Sequence, residues 1–436
     1  MVDTFVNPRL TLPDILVLKN LLGGIDHQRS QYQPSDCGRE PSDAGVLDRG
    51  NDRFTQEDDN DEATVAALQA LNNPRDGNFD PTVFALWDLK DMSGTVKWML
   101  RPYIQWAQQA VRHPTDVIIL THLILYFLTS VPSAIYLFRE FTWLHGVAHW
   151  IMQTYYVGTY TLLKHQHIHM GGVLAKRFPY NYIDVLFPYI TDPLMGHTWN
   201  SYYYHHVKHH HVEGNGPDDL SSTIRYQRDD IFHLLHYIVK FLFLIWLDLP
   251  LYFIKKRKFD QAFKAAFWEV INFTANILLA RWRFRPTLFV FILPLLLLRL
   301  GLMVGNWGQH AFVDDTEPDS DYRSSITLID VASNRFCFND GYHTSHHLNP
   351  RRHWRDHPSS FIKQKQQYAS QRALVFRNID YIMITVRLMW KDYQYLARCL
   401  VPIGDQIQMT MKEKEAMLRS KTQRFTEDDI KALFKK

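Results

Sequence analysis

The chain has 436 residues, 46% of them hydrophobic, and its 48 basic and 45 acidic side chains leave a formal charge of only +3. Charges so evenly balanced give no footprint for nucleic acid, and no such partner is expected. The three cysteines, Cys37, Cys337 and Cys399, stand apart without a CxxC, so neither a disulfide framework nor a thiolate metal site is expected and a reducing, cytosol-facing environment fits.

In chain order, the N-terminus lacks a basic stretch followed by a short apolar run, so no cleaved signal peptide is expected. Residues 1–83 read as a polar, largely mobile N-terminal region. A short amphipathic pattern (Leu10, Leu12, Ile15, Leu16, Leu18, Leu21, Leu22) precedes an acidic stretch that buries little, apart from a short helix near 64–71. Across 84–116, aromatic and apolar residues alternate with Lys97, Arg101 and Gln108, the pattern of interfacial amphipathic helices on a membrane surface.

Four runs then have the length to cross a bilayer, at ~1.5 Å per residue against a hydrocarbon core of ~30 Å. They cover 117–138, 141–163, 231–254 and 286–304. The third contains Lys240 and Asp248 and is stopped by the basic run at 255–258; the fourth carries Arg299 as its one charge. Residues 259–285 are amphipathic and suit an interface. If the third run crosses, the basic run and Arg281, Arg283 and Arg285 face the lumen, against the positive-inside tendency. A re-entrant or interfacial hairpin is the alternative there. Residues 373–436 read as a C-terminal helical tail with a charged end.

Most of the 22 histidines fall in clusters beside these apolar runs: His145 and His149 (HGVAH); His165, His167 and His169 (HQHIH); His205, His206, His209, His210 and His211 (HHVKHHH); His310 (NWGQH); and His343, His346 and His347 (HTSHH). Imidazoles three and four residues apart share a helix face and can converge on a metal. One such pair is usually structural; several clusters at the ends of apolar runs point to metal binding. His145 precedes His165 by twenty residues, ~30 Å along a helix, so the two HxxxH pairs cannot serve one site if that helix is continuous.

These motifs resemble those of the membrane fatty acid desaturase/hydroxylase superfamily over residues 117–354. Its three histidine boxes read HxxxH or HxxxxH, then HxxHH or HxxxHH, then HxxHH, and here His165 to His169, His206 to His211 and His343 to His347 stand in that order. Asn306 to His310 matches the additional NxxxH of the acyl-CoA desaturases, in which an Asn acts through water and a ninth His ligates. For the first box, His165 and His169 are preferred over His145 and His149, because His169 lies 37 residues before His206, the family's spacing, whereas His149 lies 57 before it. His167 points off the face shared by 165 and 169. For the second box both registers stay open, with His206, His210 and His211 favoured over a set using His209.

The resemblance implies an all-α integral membrane fold with about four transmembrane helices and a cytosol-facing helical cap. The cap holds a histidine-rich di-iron site within a membrane and catalytic domain spanning 117–372. The implied metal residues are His165, His169, His206, His210, His211, Asn306, His310, His343, His346 and His347, with Asp218, Asp219, Asn339 and Asp340 as candidates for orienting them. Removing hydrogen from an unactivated alkyl chain needs O₂ activated by a redox metal, which zinc is not, and imidazole-rich sites suit iron. The implied function is a membrane-bound, O₂-dependent lipid oxidoreductase, foremost a fatty-acyl desaturase using two iron ions. A lipid hydroxylase or ketolase of the same superfamily, or a non-catalytic histidine-rich metal-binding membrane protein, is the alternative. No haem, flavin or nicotinamide motif is present, so a separate electron donor of cytochrome b5 or ferredoxin type is expected. The expected location is multi-pass in a membrane, the endoplasmic reticulum if the chain is eukaryotic.

Overall fold

A computed structural model describes residues 10–32 and 51–434, with side chains at 10–26 and 59–434. Cys37 and much of the acidic N-terminal stretch lie outside the described residues. Helix α1 (Leu12–Tyr32) begins where Thr11 Oγ1 accepts from Asp14 N and Asp14 Oδ2 accepts from Thr11 N, a reciprocal cap. It packs on α2 (Asn51–Ala70), and Val17, Leu18 and Leu21 of the first with Val65 and Leu68 of the second enter one core with Tyr342, Phe361 and Val375. The amphipathic pattern at 10–22 therefore buries Leu10, Leu18 and Leu21 in this core.

Helix α3 (Gly94–Ala110) starts at the Ser93 cap and turns Trp98, Met99 and Trp106 outward. Helices α4 (Val117–Arg139) and α5 (Trp143–Met170) form an antiparallel hairpin, with Tyr126 packed edge-on against Tyr156 and Tyr160 at ring distances of 5.1 and 5.6 Å. α5 is one unbroken helix of 28 residues. Its last turns are held by Lys164, whose Nζ lies 2.9 Å from Asp192 Oδ2, and Tyr160 Oη donates to Asp192 Oδ1 at 2.6 Å. Asp192 belongs to α6 (Tyr180–Leu194). Gly171 and Gly172 end α5 at φ of 63° and 119°; a Cβ on Gly172 would fall 2.1 Å from Asp184 Oδ2, so only glycine fits there. Arg112 closes the end by donating from Nη1 to the carbonyls of Met170 and Gly171.

A π-helical turn (Tyr203–His210) runs into the short α7 (His211–Glu213). Then come α8 (Ile231–Lys255), α9 (Phe259–Trp282), α10 (Phe284–Thr287), a second π-turn (Leu288–Ile292) and α11 (Leu293–Gln309). Among the described residues, three helices have the length and apolarity to cross a membrane: Val117–Arg139, Ile231–Lys255 and Phe284–Gln309. The run at 141–163, expected as the second span, lies almost wholly in α5, which falls outside that set; His145, His149 and Gln153 dilute it.

The third run lies in α8, one of those three helices, and contacts near its two ends show what it packs against. Near the start of α8, Tyr237 Oη donates to Ser221 O at 3.0 Å; just past its end, Lys256 Nζ reaches Asp218 Oδ2 at 2.7 Å and Glu213 Oε1 at 3.1 Å. Both ends of α8 thus lie against the segment that carries the second histidine cluster. α9 instead leads away, ending at Trp282, which stacks on Phe138 at 5.8 Å beside the Phe141–Phe289 contact. The basic run at 255–258 consequently sits at the histidine end.

The C-terminal half comprises α12 (Asp321–Ser324), β1 (Ile326–Ile329), α13 (Ala332–Phe336), α14 (His343–Leu348), α15 (His357–Lys363), α16 (Lys365–Ser370), β2 (Leu374–Arg377), α17 (Tyr381–Met389), α18 (Tyr393–Cys399), β3 (Leu400–Val401), α19 (Met411–Ser420) and α20 (Glu427–Leu433). The fold is mostly helical, not all-α: β1 pairs parallel with β2, and β2 antiparallel with β3. Four-residue runs such as ITLI and LVFR are too short for periodicity to reveal, and they are buried throughout. A parallel pair needs a crossover, and α13 to α16 form it, so the sheet pins both ends of the segment bearing HTSHH. It also ties residue 374 to residue 326, across the expected boundary at 372.

Candidate metal centre

Nine imidazoles gather from four chain segments into two groups. His165, His169, His206, His211 and His346 form one; His210, His310, His343 and His347 form the other. Within each group, one potential ligand atom per residue lies within 4.8 Å of all the rest. His165 and His169 come from the last turns of α5, where a separation of four places both rings on one face. His343, His346 and His347 come from α14, reached through Gly341. A Cβ there would meet Asn334 Oδ1 at 2.1 Å and Leu328 O at 2.6 Å, so glycine lets the loop close onto β1.

The π-turn decides the second cluster. Its closing bond runs from His211 N–H to His206 O, five residues back. That puts His211 over His206, with Nε2 atoms 3.1 Å apart, and rotates His210 into the other group. His209 faces elsewhere: its Nε2 accepts from Leu220 N–H at 3.1 Å and its ring lies against Tyr252. The longer register is the one assembled.

Ring nitrogens face one another closely. His346 Nε2 is 3.0 Å from His165 Nε2 and 2.8 Å from His211 Nε2, while His343 Nε2 is 3.1 Å from both His310 Nε2 and His347 Nε2. Two donors ~2.1 Å from a common ion and at right angles about it are about 3 Å apart, so the spacing suits shared coordination. Burial pushes His206, His211, His310, His343 and His346 well below the ordinary imidazole range, and neighbouring imidazoles add to the shift. They are therefore neutral, the form that ligates. Among the described residues, His169 Nε2 is buried without a hydrogen-bond partner. The donor set and its geometry fit transition-metal ions held by imidazole.

Neighbouring groups orient several rings. His210 Nδ1–H donates to Asp219 Oδ2 at 2.7 Å, and Asp219 also accepts from Ser221 N, Ser221 Oγ and Asn215 N. His310 Nδ1–H donates to Ser324 O at 2.7 Å, and His347 Nδ1 lies 3.4 Å from Asp321 Oδ1. Such partners fix the tautomer and free Nε2 for a metal. Of the four sequence candidates only Asp219 does this through its carboxylate. Asp218 pairs with Lys256, and Asn339 donates to Trp354 O. Asp340 accepts from Gln309 Nε2 at 3.0 Å inside a cavity onto which both groups open, and burial pushes its carboxyl up to about 7. Asp321 carried no signal beyond an acidic loop, and a backbone carbonyl such as Ser324 carries none.

Asn306 joins neither group. Its Nδ2 donates to Ser221 O at 2.9 Å and to Tyr237 Oη at 2.7 Å, on the wall of the same cavity. His145 and His149 sit at the start of α5, where Ser133 Oγ lies 2.8 Å from His145 Nε2 and from His149 Nδ1. His167 turns to Asp184 O.

A family model described as fatty acid desaturase matches residues 141–377, more than half of the chain and every histidine of the two groups. No curated protein and no solved structure matches the chain significantly.

Proposed function

Because the chain belongs to the fatty acid desaturase family, we propose that it is a membrane-bound, O₂-dependent lipid oxidoreductase, specifically a fatty-acyl desaturase. In this reading the five-histidine and four-histidine groups each hold one iron, and Asn306 approaches the centre through water. The observation that carries it is the convergence of nine imidazoles, most of them buried, on two adjacent points. Nine donors exceed the needs of one ion, and a structural zinc site uses four. Bound iron would supply what side chains lack, activation of O₂ for attack on an unactivated C–H bond.

The chain's own residues supply the rest. The two faces of α14 and the π-turn bring the imidazole nitrogens to about the spacing coordination requires, so little reorganisation is needed on metal binding. Asp219 and the Ser324 carbonyl hold the protons of His210 and His310 on Nδ1, away from the metal. Leu162, Phe241, Leu302 and Met303 form the apolar side of the cavity reaching both groups, against which substrate methylenes can pack. In the reaction, two hydrogens leave adjacent methylenes while O₂ is reduced to water with two electrons from a separate donor protein of cytochrome b5 or ferredoxin type, and two protons. We place α4, α5, α9 and the α10–α11 unit across the membrane, with α8 lying along the histidine side.

Metal analysis of the purified protein tests the centre, with two irons per chain expected and an optical change on reduction and on O₂ addition. Full occupancy by redox-silent zinc would overturn the enzyme reading. Lipid profiling in a host lacking the activity tests the chemistry. Loss of two hydrogens marks a desaturase, whereas gain of one oxygen assigns the chain to the hydroxylases.

A further inference from the structure

Arg299 is the one charge in the most apolar run of the chain, and the metal centre does not use it. It lies eleven residues before His310, about 16 Å along the helix. A charge at such a position in an apolar helix is costly and ordinarily functional, with its partner close by. Here the partner is Glu269 of α9: Arg299 Nη2 donates to Glu269 Oε2 at 2.9 Å and to Thr198 Oγ1 at 3.2 Å. Ser201 Oγ donates to the other carboxylate oxygen at 2.5 Å. Gly196 makes the approach possible. Its φ is +82° and a Cβ there would lie 2.3 Å from Pro294 O, so the 196–201 loop packs directly on α11.

Two features distinguish this cluster from a simple clamp. Arg299 donates from Nη2 alone; among the described residues its Nε and Nη1 hydrogens meet no protein acceptor, and the side chain keeps 10% of its surface accessible. His205 Nε2, on the same cavity, is buried without a partner. A buried guanidinium rarely leaves donors unfilled. The cavity around the pair is lined by Phe241, Ile245, Leu298 and Leu302, and it shares Tyr202, His205, Phe241 and Leu302 with the cavity that opens on both histidine groups. The two cavities are thus neighbours, with these four side chains between the histidines and Arg299.

We infer that the Arg299–Glu269 pair, with Thr198 and His205, is a subsite for a neutral oxygen function on the substrate chain, a hydroxyl or carbonyl remote from the carbon presented to the histidines. The unfilled groups on Arg299 are donors, so the ligand atom is an acceptor. Glu269 already neutralises the guanidinium, so a carboxylate or phosphate would bring an uncompensated charge into an apolar cavity. This deepens the lipid-oxidoreductase reading by naming the substrate class, but binding here requires no turnover.

The test is photo-labelling of the full chain in lipid nanodiscs, without reductant, using a diazirine-bearing hexadecanol and mapping the adducts by mass spectrometry. Adducts are expected within 196–205, 241–245 or 298–302, displaced by excess hexadecanol and not by hexadecane or palmitate. Arg299→Lys keeps the charge and the pairing with Glu269 but lacks the free Nε and Nη1 donors, so labelling should fall about tenfold, as for loss of a charge-assisted hydrogen bond. The Arg299→Met/Glu269→Met double variant, which leaves no buried charge unpaired, should lose labelling to the same extent at an unchanged melting temperature. Equal displacement by hexadecane or palmitate, or full labelling of Arg299→Lys, overturns the subsite. Iron content and lipid profiles are read separately, so failure here leaves the metal reading standing, and the reverse holds.

Discussion

Replacing Asp219 by Asn isolates one of the two histidine groups. Asp219 is buried, and both of its oxygens receive hydrogens: Oδ2 from His210 Nδ1 at 2.7 Å and Asn215 N at 3.2 Å, Oδ1 from Ser221 N at 2.8 Å and Ser221 Oγ at 2.7 Å. An amide in this position must turn its NH₂ toward a donor whichever way it is flipped. Either His210 loses its acceptor or the 219–221 turn loses its own. Partners of this kind contribute roughly 10- to 100-fold to metal affinity, or about 1.4 to 2.8 kcal/mol. His210 belongs only to the four-histidine group, so one iron should weaken by that factor while the other is unchanged. Titration of the metal-depleted protein with Fe(II) against a competing chelator resolves the two affinities, and the melting temperature of the metal-free form controls for folding. Equal weakening of both sites, or of neither, would refute the assignment of His210 and Asp219 to one group.

Other expectations follow from particular contacts. His211→Gln should lower the iron stoichiometry, whereas His209→Gln and His145→Gln should leave it unchanged, because only His211 is carried into a group by the π-turn; metal analysis of the three variants decides. In a background with the native cysteines replaced by serine, Lys256→Cys should label from the same membrane side as Asp218→Cys, and Arg283→Cys from the opposite side. Labelling of positions 256 and 283 together, opposite 218, would restore α8 as a crossing helix. Stability should also depend on pH through His353, whose Nε2–H donates to Asp116 Oδ2 at 2.7 Å just before α4. Burial opposes its protonation, but Asp116 outweighs that and holds the imidazole above its ordinary value. The contribution is therefore complete below the unfolded value of about 6.5 and is lost as pH rises through the higher folded value. Thermal melts of His353→Gln across that range should lack the alkaline decline seen in the parent.

The residue pattern located the histidine clusters and separated the two HxxxH pairs, and the resemblance to the family's box spacing set His165 and His169 above the earlier pair. Spacing along one helix is a local property, and an unbroken α5 keeps positions 145 and 165 apart whatever surrounds them. It likewise marked α4 and the 286–304 run as long apolar helices, and Arg299 as an anomaly within the latter. The register of the second cluster was not legible, because HHVKHHH supports two helical readings and a single backbone bond of π type selects between them. Nor was the packing of α8: its composition is that of a span, and only Tyr237 and Lys256, meeting Ser221 and Asp218, set both its ends against the segment after the second cluster. Apolar length is read from the chain, but which side of a membrane each end meets depends on distant partners. The same holds for the centre itself, where ligand types are written in sequence and their division into five and four arises only when histidines from 33 to 181 residues apart pack together.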